Sequence, residues 1–204
     1  MDQFNKLLDI SNQLLGPNGC QWDQEQTLFT LQPYLLEETH ELIEAIDLED
    51  FDKICEEVGD VFFALVFIAK VAEKQGKFTI FDSIQATCEK LIRRHPHVFG
   101  DVKITSKEDF DRNWEEIKKR EKAHEKRKKI FDGIPPTLPL LAKGQKMAGK
   151  LRKAGSPVRG GPGAMTEAEL GERLWELVAA ADRLGIDAES AFRRKLQDEE
   201  GKSI

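Results

Sequence analysis

The stretch "LLEETHELIEAIDLEDFDKICEEVGDVFFALVFIAK", Leu35 to Lys70, decides the fold. At 100° per residue, Leu35, Leu36, Leu42, Ile43 and Ile46 gather on one face of a helix running to about Ile46. Glu38 and Glu41 lie along the border of that face, while Glu37 and Glu44 turn toward solvent. A second helix, from about Lys53 to Gln75, shows no polar face between Val61 and Ala69, which predicts a central place in a bundle. Glu57 and Asp60 share one side of it, so two anionic groups are carried into the core at its entrance.

The acidic link "DLEDFD" is short, which makes the two helices antiparallel neighbours. Residues whose numbers share a sum then sit at about the same height. Glu38 with Asp60 and Glu41 with Glu57 both sum to 98, predicting a two-by-two patch of carboxylates across one interface. Left bare, such a patch costs on the order of several kcal/mol per buried charge, with repulsion added. A hard divalent cation relieves both penalties, and an all-oxygen ligand set suits magnesium or manganese. Glu37, Glu44, Glu49 and Glu56 also fit an ordinary solvated face. A rival metal reading starts from Glu37-x-x-His40, the i, i+3 spacing of di-iron bundles. The partner helix answers with Glu57-x-x-Asp60 and no histidine, and His40 reads as a surface residue.

The rest of the chain also reads as helix, so the predicted class is all-α, an antiparallel helical bundle. Phe4, Leu7, Leu8, Leu14 and Leu15 recur at helical spacing up to "GPNG". Asp23 with Gln26 offers a capping-box start, Pro33 suits a first helical turn, Gly76 stops the central helix and Asp82 caps the next. Ser106 with Asp109 opens a charged helix carrying Trp114. "DGIPPTLP" reads as a linker and "GSPVRGGPG" as a more flexible break near 155–163. Lys90, Arg93 and Arg94 crowd a helix end, where cations routinely compensate the helix dipole. Trp22 reads as packing. The run "KKREKAHEKRKK" lacks interleaved aromatics and reads as a solvated helix.

Composition bounds the function. With 40% hydrophobic and 33% charged residues, the 204-residue chain is expected to bury a sizeable core. A net charge of −6 gives no general reason for nucleic-acid binding. Cys20, Cys55 and Cys88 lack CxxC spacing, so a disulfide framework and a zinc knuckle are not indicated and a reducing, cytoplasmic setting is expected. The start "MDQFNKLLDI" lacks signal-peptide features, and Val61–Ala69 is too short for a membrane span.

An internal echo links the two halves. "EVGDVFFALVFIAKV" from Glu57 and "ELGERLWELVAAADR" from Glu169 agree at Glu, Gly, Leu, Val and Ala at a constant offset of 112 (169 − 57). This predicts a duplicated helical module whose second copy is abbreviated.

At these residues the chain resembles a known family. "EETHE" followed by "EEVGD" is similar to the Glu-Glu-x-x-Glu and Glu-x-x-Asp signature of the all-α nucleoside triphosphate pyrophosphohydrolases of the MazG type. "NGCQWDQEQT" resembles that family's Gly-Cys-Pro-Trp-Asp motif, with Gln21 in place of the proline. "KLIRRHPHVFGD" and "NWEEIKKRE" resemble its basic helix end and following tryptophan helix, and the likeness runs from Met1 to about Leu141. The resemblance implies magnesium held by Glu38, Glu41, Glu57 and Asp60, and cleavage of a nucleoside triphosphate between its α and β phosphates, clearing nucleotide pools. It implies phosphate binding by Lys90, Arg93 and Arg94, a base covered by Trp114, and a homodimer. Glu37 is the candidate for positioning or deprotonating the attacking water. The expected organisation is a catalytic module over 1–132 and an abbreviated, inactive one over 133–204, where Glu172 stands at the position of Asp60 and the Glu-Glu-x-x-Glu helix is missing. A di-iron oxidase and a catalytically silent nucleotide-binding regulator are the rival readings.

Overall fold

The computed structural model describes residues 2–119, 121, 129–156 and 163–202. Among them every regular element is an α-helix, and the chain divides into two compact units, Met1–Thr105 and Ser106–Ile204.

The first unit holds α1 (Asp2–Leu15), α2 (Gln21–Gln24), α3 (Gln32–Asp47), α4 (Phe51–Lys74), α5 (Ile80–Arg94) and α6 (Pro96–Phe99). Its centre is the α3–α4 hairpin. α3 closes as a Schellman motif, with Glu49 N–H donating to Ile46 and Asp50 N–H to Ala45. Glu49 therefore takes the left-handed conformation usually left to glycine, at φ 53°. Asp50 then caps α4 by accepting from the Lys53 N–H. Only Leu48, Glu49 and Asp50 separate the helices, and this tight link sets the antiparallel register. α4 ends in a second Schellman motif at Gly76, φ 68°, where Lys77 N–H reaches the Ala72 carbonyl.

α4 packs on two sides. Val66 and Ala69 meet Leu8 of α1 and Ile80 of α5, while Phe67 and Val71 meet Leu31, flanked by Leu14, Leu15 and Leu28. The all-round burial expected of α4 is not found between Val61 and Ala69, and its buried residues cluster from Val66 to Ala72. Phe62 is 40% and Leu65 44% exposed, and Val58 is exposed as well. On α3, Leu36, Ile43 and Ile46 of the expected apolar face are also exposed, and burial centres on Ala45 and, at the N-cap, on Leu31. The core face is thus rotated toward Glu38, because α4 meets α3 on that side.

Two expected caps are corrected. Asp23 lies inside α2, whose N-cap is Cys20, and Gln26 donates from its side chain to the Trp22 carbonyl instead. Thr79, not Asp82, is the N-cap of α5. Its hydroxyl accepts from the Asp82 N–H at 3.2 Å while the Asp82 carboxylate accepts from the Thr79 N–H at 2.7 Å, a complete capping box with Asp82 at N3.

The second unit holds α7 (Lys107–Lys119), α8 (Leu140–Lys153), α9 (Glu167–Arg183) and α10 (Ala188–Lys202). Ser106 accepts from the Asp109 N–H at the start of α7. α8 meets α10 where Gly144 lies against Phe192, beside buried Met147 and Leu196. Most of the basic run 118–129 and of the Gly/Pro-rich break lies outside the described residues. No described helix is long and apolar enough to cross a membrane.

Candidate metal and substrate site

The hairpin brings Glu38, Glu41 and Glu57 together. One carboxylate oxygen from each lies within 4.8 Å of the others, and among the described residues this is the one such group of potential metal ligands. Glu57 is 5% exposed, Glu38 half-buried and Glu41 exposed. Asp60 is exposed and outside the trio, yet it is the strongest charged neighbour of Glu38, as Glu41 is of Glu57. These are the two pairs of matched height, so the register follows from the three-residue link.

The electrostatics fit an acidic group drawn out of water. Burial, then Asp60, Glu41, Glu57 and Glu37, hold the Glu38 carboxyl above its ordinary pKa. Burial and then Glu41 raise that of Glu57, with Lys53 one turn earlier pulling the other way. Lys53 is a counter-charge that sequence reasoning passed over, although its i, i+4 spacing to Glu57 was readable. The trio fits a divalent cation. In an octahedron with metal–oxygen bonds of about 2.1 Å, ligand oxygens stand about 3.0 Å apart in cis and about 4.2 Å in trans, within the observed spread. His40 is exposed and does not join the group, so the di-iron reading finds no histidine there.

The other candidates are placed as follows. Glu37 is exposed on α3 beside Glu38, close enough to add to its charge repulsion. Lys90, Arg93 and Arg94 occupy the end of α5 in the same unit, with Lys90 and Arg94 half-buried and Arg93 exposed. They are not among the principal charged neighbours of Glu38 or Glu57. Trp114 belongs to the second unit, where its ring stacks on Phe110 at 5.7 Å. Trp22 corrects its reading as packing. It is 51% exposed, meets Tyr34 edge to face at 5.4 Å, and lines a cleft together with Glu38 and Asp60.

Comparisons with known proteins agree on one family. The MazG nucleotide pyrophosphohydrolase domain matches residues 26–99, which include all four matched carboxylates. The chain is 37% identical over 218 residues to the nucleoside triphosphate pyrophosphohydrolase of Escherichia coli K12, covering 95% of this chain and 83% of that protein. It is 46% identical over 145 residues to the uncharacterised protein YabN of Bacillus subtilis, spanning 71% of this chain but 29% of the longer YabN. Among solved structures, a MazG-related protein from Thermotoga maritima superposes with a TM-score of 0.51 at 32% identity, over 57% of this chain and 99% of that one.

Proposed function

We propose, from the premise that the chain belongs to the MazG family of nucleotide pyrophosphohydrolases, that it hydrolyses nucleoside triphosphates to monophosphate and pyrophosphate. The observation that carries this reading is the meeting of Glu38, Glu41 and Glu57 within 4.8 Å on the α3–α4 hairpin, with Glu57 buried. Glu38, Glu41, Glu57 and Asp60 would hold magnesium, with manganese as the substitute. A bound divalent cation there neutralises polyphosphate charge and lowers the pKa of water it binds.

The chain's own residues do the rest. The water oxygen bonds to the α-phosphorus, the bond from that phosphorus to the α–β bridging oxygen breaks, and pyrophosphate leaves. Glu37, turned away from the core beside Glu38, takes the proton of the attacking water. Lys90, Arg93 and Arg94 contribute positive charge for the triphosphate. We assign this chemistry to a catalytic module over 1–132 and take 133–204 as an abbreviated module without it, in a cytoplasmic setting.

The working form is a homodimer. Leu36 and Ile43 of α3, Val58, Phe62 and Leu65 of α4, and Phe81, Ile84 and Leu91 of α5 are all exposed in the single chain. Apolar surface on three helices of one unit is what a second copy covers.

Incubation with magnesium and a panel of nucleoside triphosphates, with products separated by chromatography, tests the reaction. Monophosphate and pyrophosphate in equal amounts are expected. Orthophosphate with diphosphate would move the scissile bond, and nucleotide binding without turnover would favour a silent regulator.

A further inference from the structure

α9 is capped at both ends yet buries none of its own side chains. The Thr166 capping box closes its start. At its end Gly185, φ 64°, lets Ile186 N–H donate to the Ala181 carbonyl at 2.8 Å. Between these caps no residue is buried, whereas α4, its counterpart in the internal echo, buries Val66, Phe67, Ala69 and Ala72. A helix of this length without tertiary packing is marginal in water, so α9 needs a surface to lie on.

Its apolar residues form one line. Leu170, Leu174, Leu177, Ala181 and, at the C-cap, Leu184 recur at alternating steps of four and three, a seam of two heptads. Leu177 is 68% and Leu184 72% exposed. Leu170 and Leu174 border a cleft of about 970 Å³ that buried Met147 of α8 and Leu196 of α10 also line, so the seam runs into an apolar groove of the same unit. The offset of 112 that relates the two halves sets this seam on Val58, Phe62, Leu65, Ala69 and Ala72 of α4. Val58, Phe62 and Leu65 are exposed and belong to the surface assigned above to a second copy. The other side of the two helices behaves differently. Glu57, Asp60 and Ala64 of α4 lie toward α3, and their counterparts are Glu169, Glu172 and Glu176, all exposed. The side of α9 that has no α3 counterpart among the described residues is charged like a solvated surface. The side that matches the α4 dimer surface is leucine, as a covered face requires.

Charge selects both the partner and its direction. Glu167, Glu169, Glu172 and Glu176 precede Leu177, with Arg173 the one cation among them, and Arg183 closes the helix. Parallel pairing of two such helices would set glutamates against glutamates. Antiparallel pairing sets each acidic half beside the partner's second half, with its arginine, and opposes the helix dipoles. The seam is then complementary to itself about a twofold axis, the condition for a closed dimer.

We propose that α9 is a self-association seam on which α9 of a second copy lies antiparallel, so that the half of the chain without the carboxylate group serves assembly. The proposal goes beyond the pyrophosphohydrolase reading and does not depend on it. Two heptads bury less apolar surface than a face built on three helices, so this seam pairs at higher concentration than the α4 face does.

The test is sedimentation equilibrium of the full chain, with amide exchange of α9 followed by mass spectrometry at each concentration. Leu65→Asp breaks the α4 face and isolates the seam. That variant should stay monomeric where the parent is dimeric and reassociate at on the order of 100-fold higher concentration, with exchange of the α9 amides slowing as it does. Adding Leu177→Asp or Leu184→Asp should abolish the reassociation, because each puts a charge into the seam from both copies. Adding Glu172→Gln, on the opposite side of α9, should leave it in place. A Leu65→Asp variant that is monomeric at every concentration, reassociation that survives both seam aspartates, or α9 exchange that is independent of concentration overturns the seam. If Leu65→Asp dimerises as the parent does, the α4 face falls and the two aspartates still decide the seam. None of these readouts involves turnover, so failure of the reaction and failure of the seam are seen separately.

Discussion

Replacing Glu57 by glutamine sets two effects of opposite sign against each other, and their balance tests the metal site. Burial and the nearby Glu41 raise the Glu57 carboxyl, and burial and Asp60 raise that of Glu38. A carboxyl raised in the fold contributes stability that is full below its unfolded value, near 4.5 for both, and is lost as pH rises through the folded value. At pH 7 without metal the charged group thus works against the fold, and Glu57→Gln should melt no lower than the parent in EDTA. With metal the order reverses. A cation bound only by the folded state stabilises by about 1.4 kcal/mol at ten times its dissociation constant and about 2.7 kcal/mol at a hundred times. The compact unit that holds the site is Met1–Thr105, and in a domain of that size 1 kcal/mol moves the Tm by about 4–8 °C. The parent should therefore gain about 6–11 °C at ten times the dissociation constant, and the variant a small fraction of that. Thermal melts of both proteins in EDTA and across a magnesium titration, at pH 7 and pH 5, read out every arm. In EDTA the parent should gain on the variant as pH falls. A variant that melts far below the parent in EDTA, beside a parent indifferent to magnesium, would make the carboxylates structural partners and refute the reasoning.

Other expectations follow from the packing. Val66 is fully buried, so Val66→Ala should cost about 2 kcal/mol from the lost methyl groups and the cavity, a fall of about 8–16 °C in Tm by thermal denaturation. Thr79→Ala should cost about 1 kcal/mol at neutral pH. The Thr79 N–H and then its hydroxyl hold Asp82 below its ordinary value, so the box contributes above the unfolded value near 3.8 and fades as pH falls through the folded one. The difference between variant and parent should shrink in acid melts. Leu65→Asp should convert a dimeric parent into monomer in sedimentation equilibrium, because burying the exposed part of each Leu65 contributes on the order of 1 kcal/mol and a desolvated charge reverses the gain. A parent that sediments as a monomer at high concentration removes the dimer. Glu169→Gln should leave turnover near the parent while Glu57→Gln abolishes it; the reverse order in a side-by-side assay would move the site to the C-terminal half.

Helix order and the pairing of acidic residues were legible because local rules decide them. A link as short as Leu48–Asp50 permits one register, and Gly76 ends α4 by a conformation other residues avoid. What was not legible depends on what lies across from each surface. Leu36, Ile43, Val58 and Phe62 are apolar at helical spacing, and a wheel cannot distinguish a face meant for the core from one left outside it. The caps failed for a related reason. Thr79 and Asp82 are three residues apart and bond reciprocally, so either can be taken for the cap until the backbone is seen. Trp22 was passed over because a tryptophan reads alike as packing or as a cleft wall. Its place on the cleft goes with the turn at Gly19, where a Cβ would stand 2.1 Å from the Leu14 carbonyl oxygen.

The echo between the halves makes the same point from one residue pair. Glu57 and Glu169 stand at equal places in matching sequences, yet their carboxyls are perturbed in opposite directions. Glu57 falls well inside α4, beyond its cap at Asp50, and faces Glu41 from the neighbouring helix. α9 starts later relative to the matching sequence, at the Thr166 cap, so Glu169 becomes the N3 residue of a capping box. Its carboxylate accepts from the Thr166 N–H at 2.8 Å and from the hydroxyl at 3.0 Å, which lowers its pKa. Holding a cation with that carboxylate would cost the helix its cap, and no described residue group near Glu169 offers the further ligands. One helix start, displaced by about a turn, thus separates an acid that must be neutralised from an acid already satisfied. That displacement, beside the missing Glu-Glu-x-x-Glu helix, is the reason for proposing the site on the α3–α4 hairpin and not on its echo.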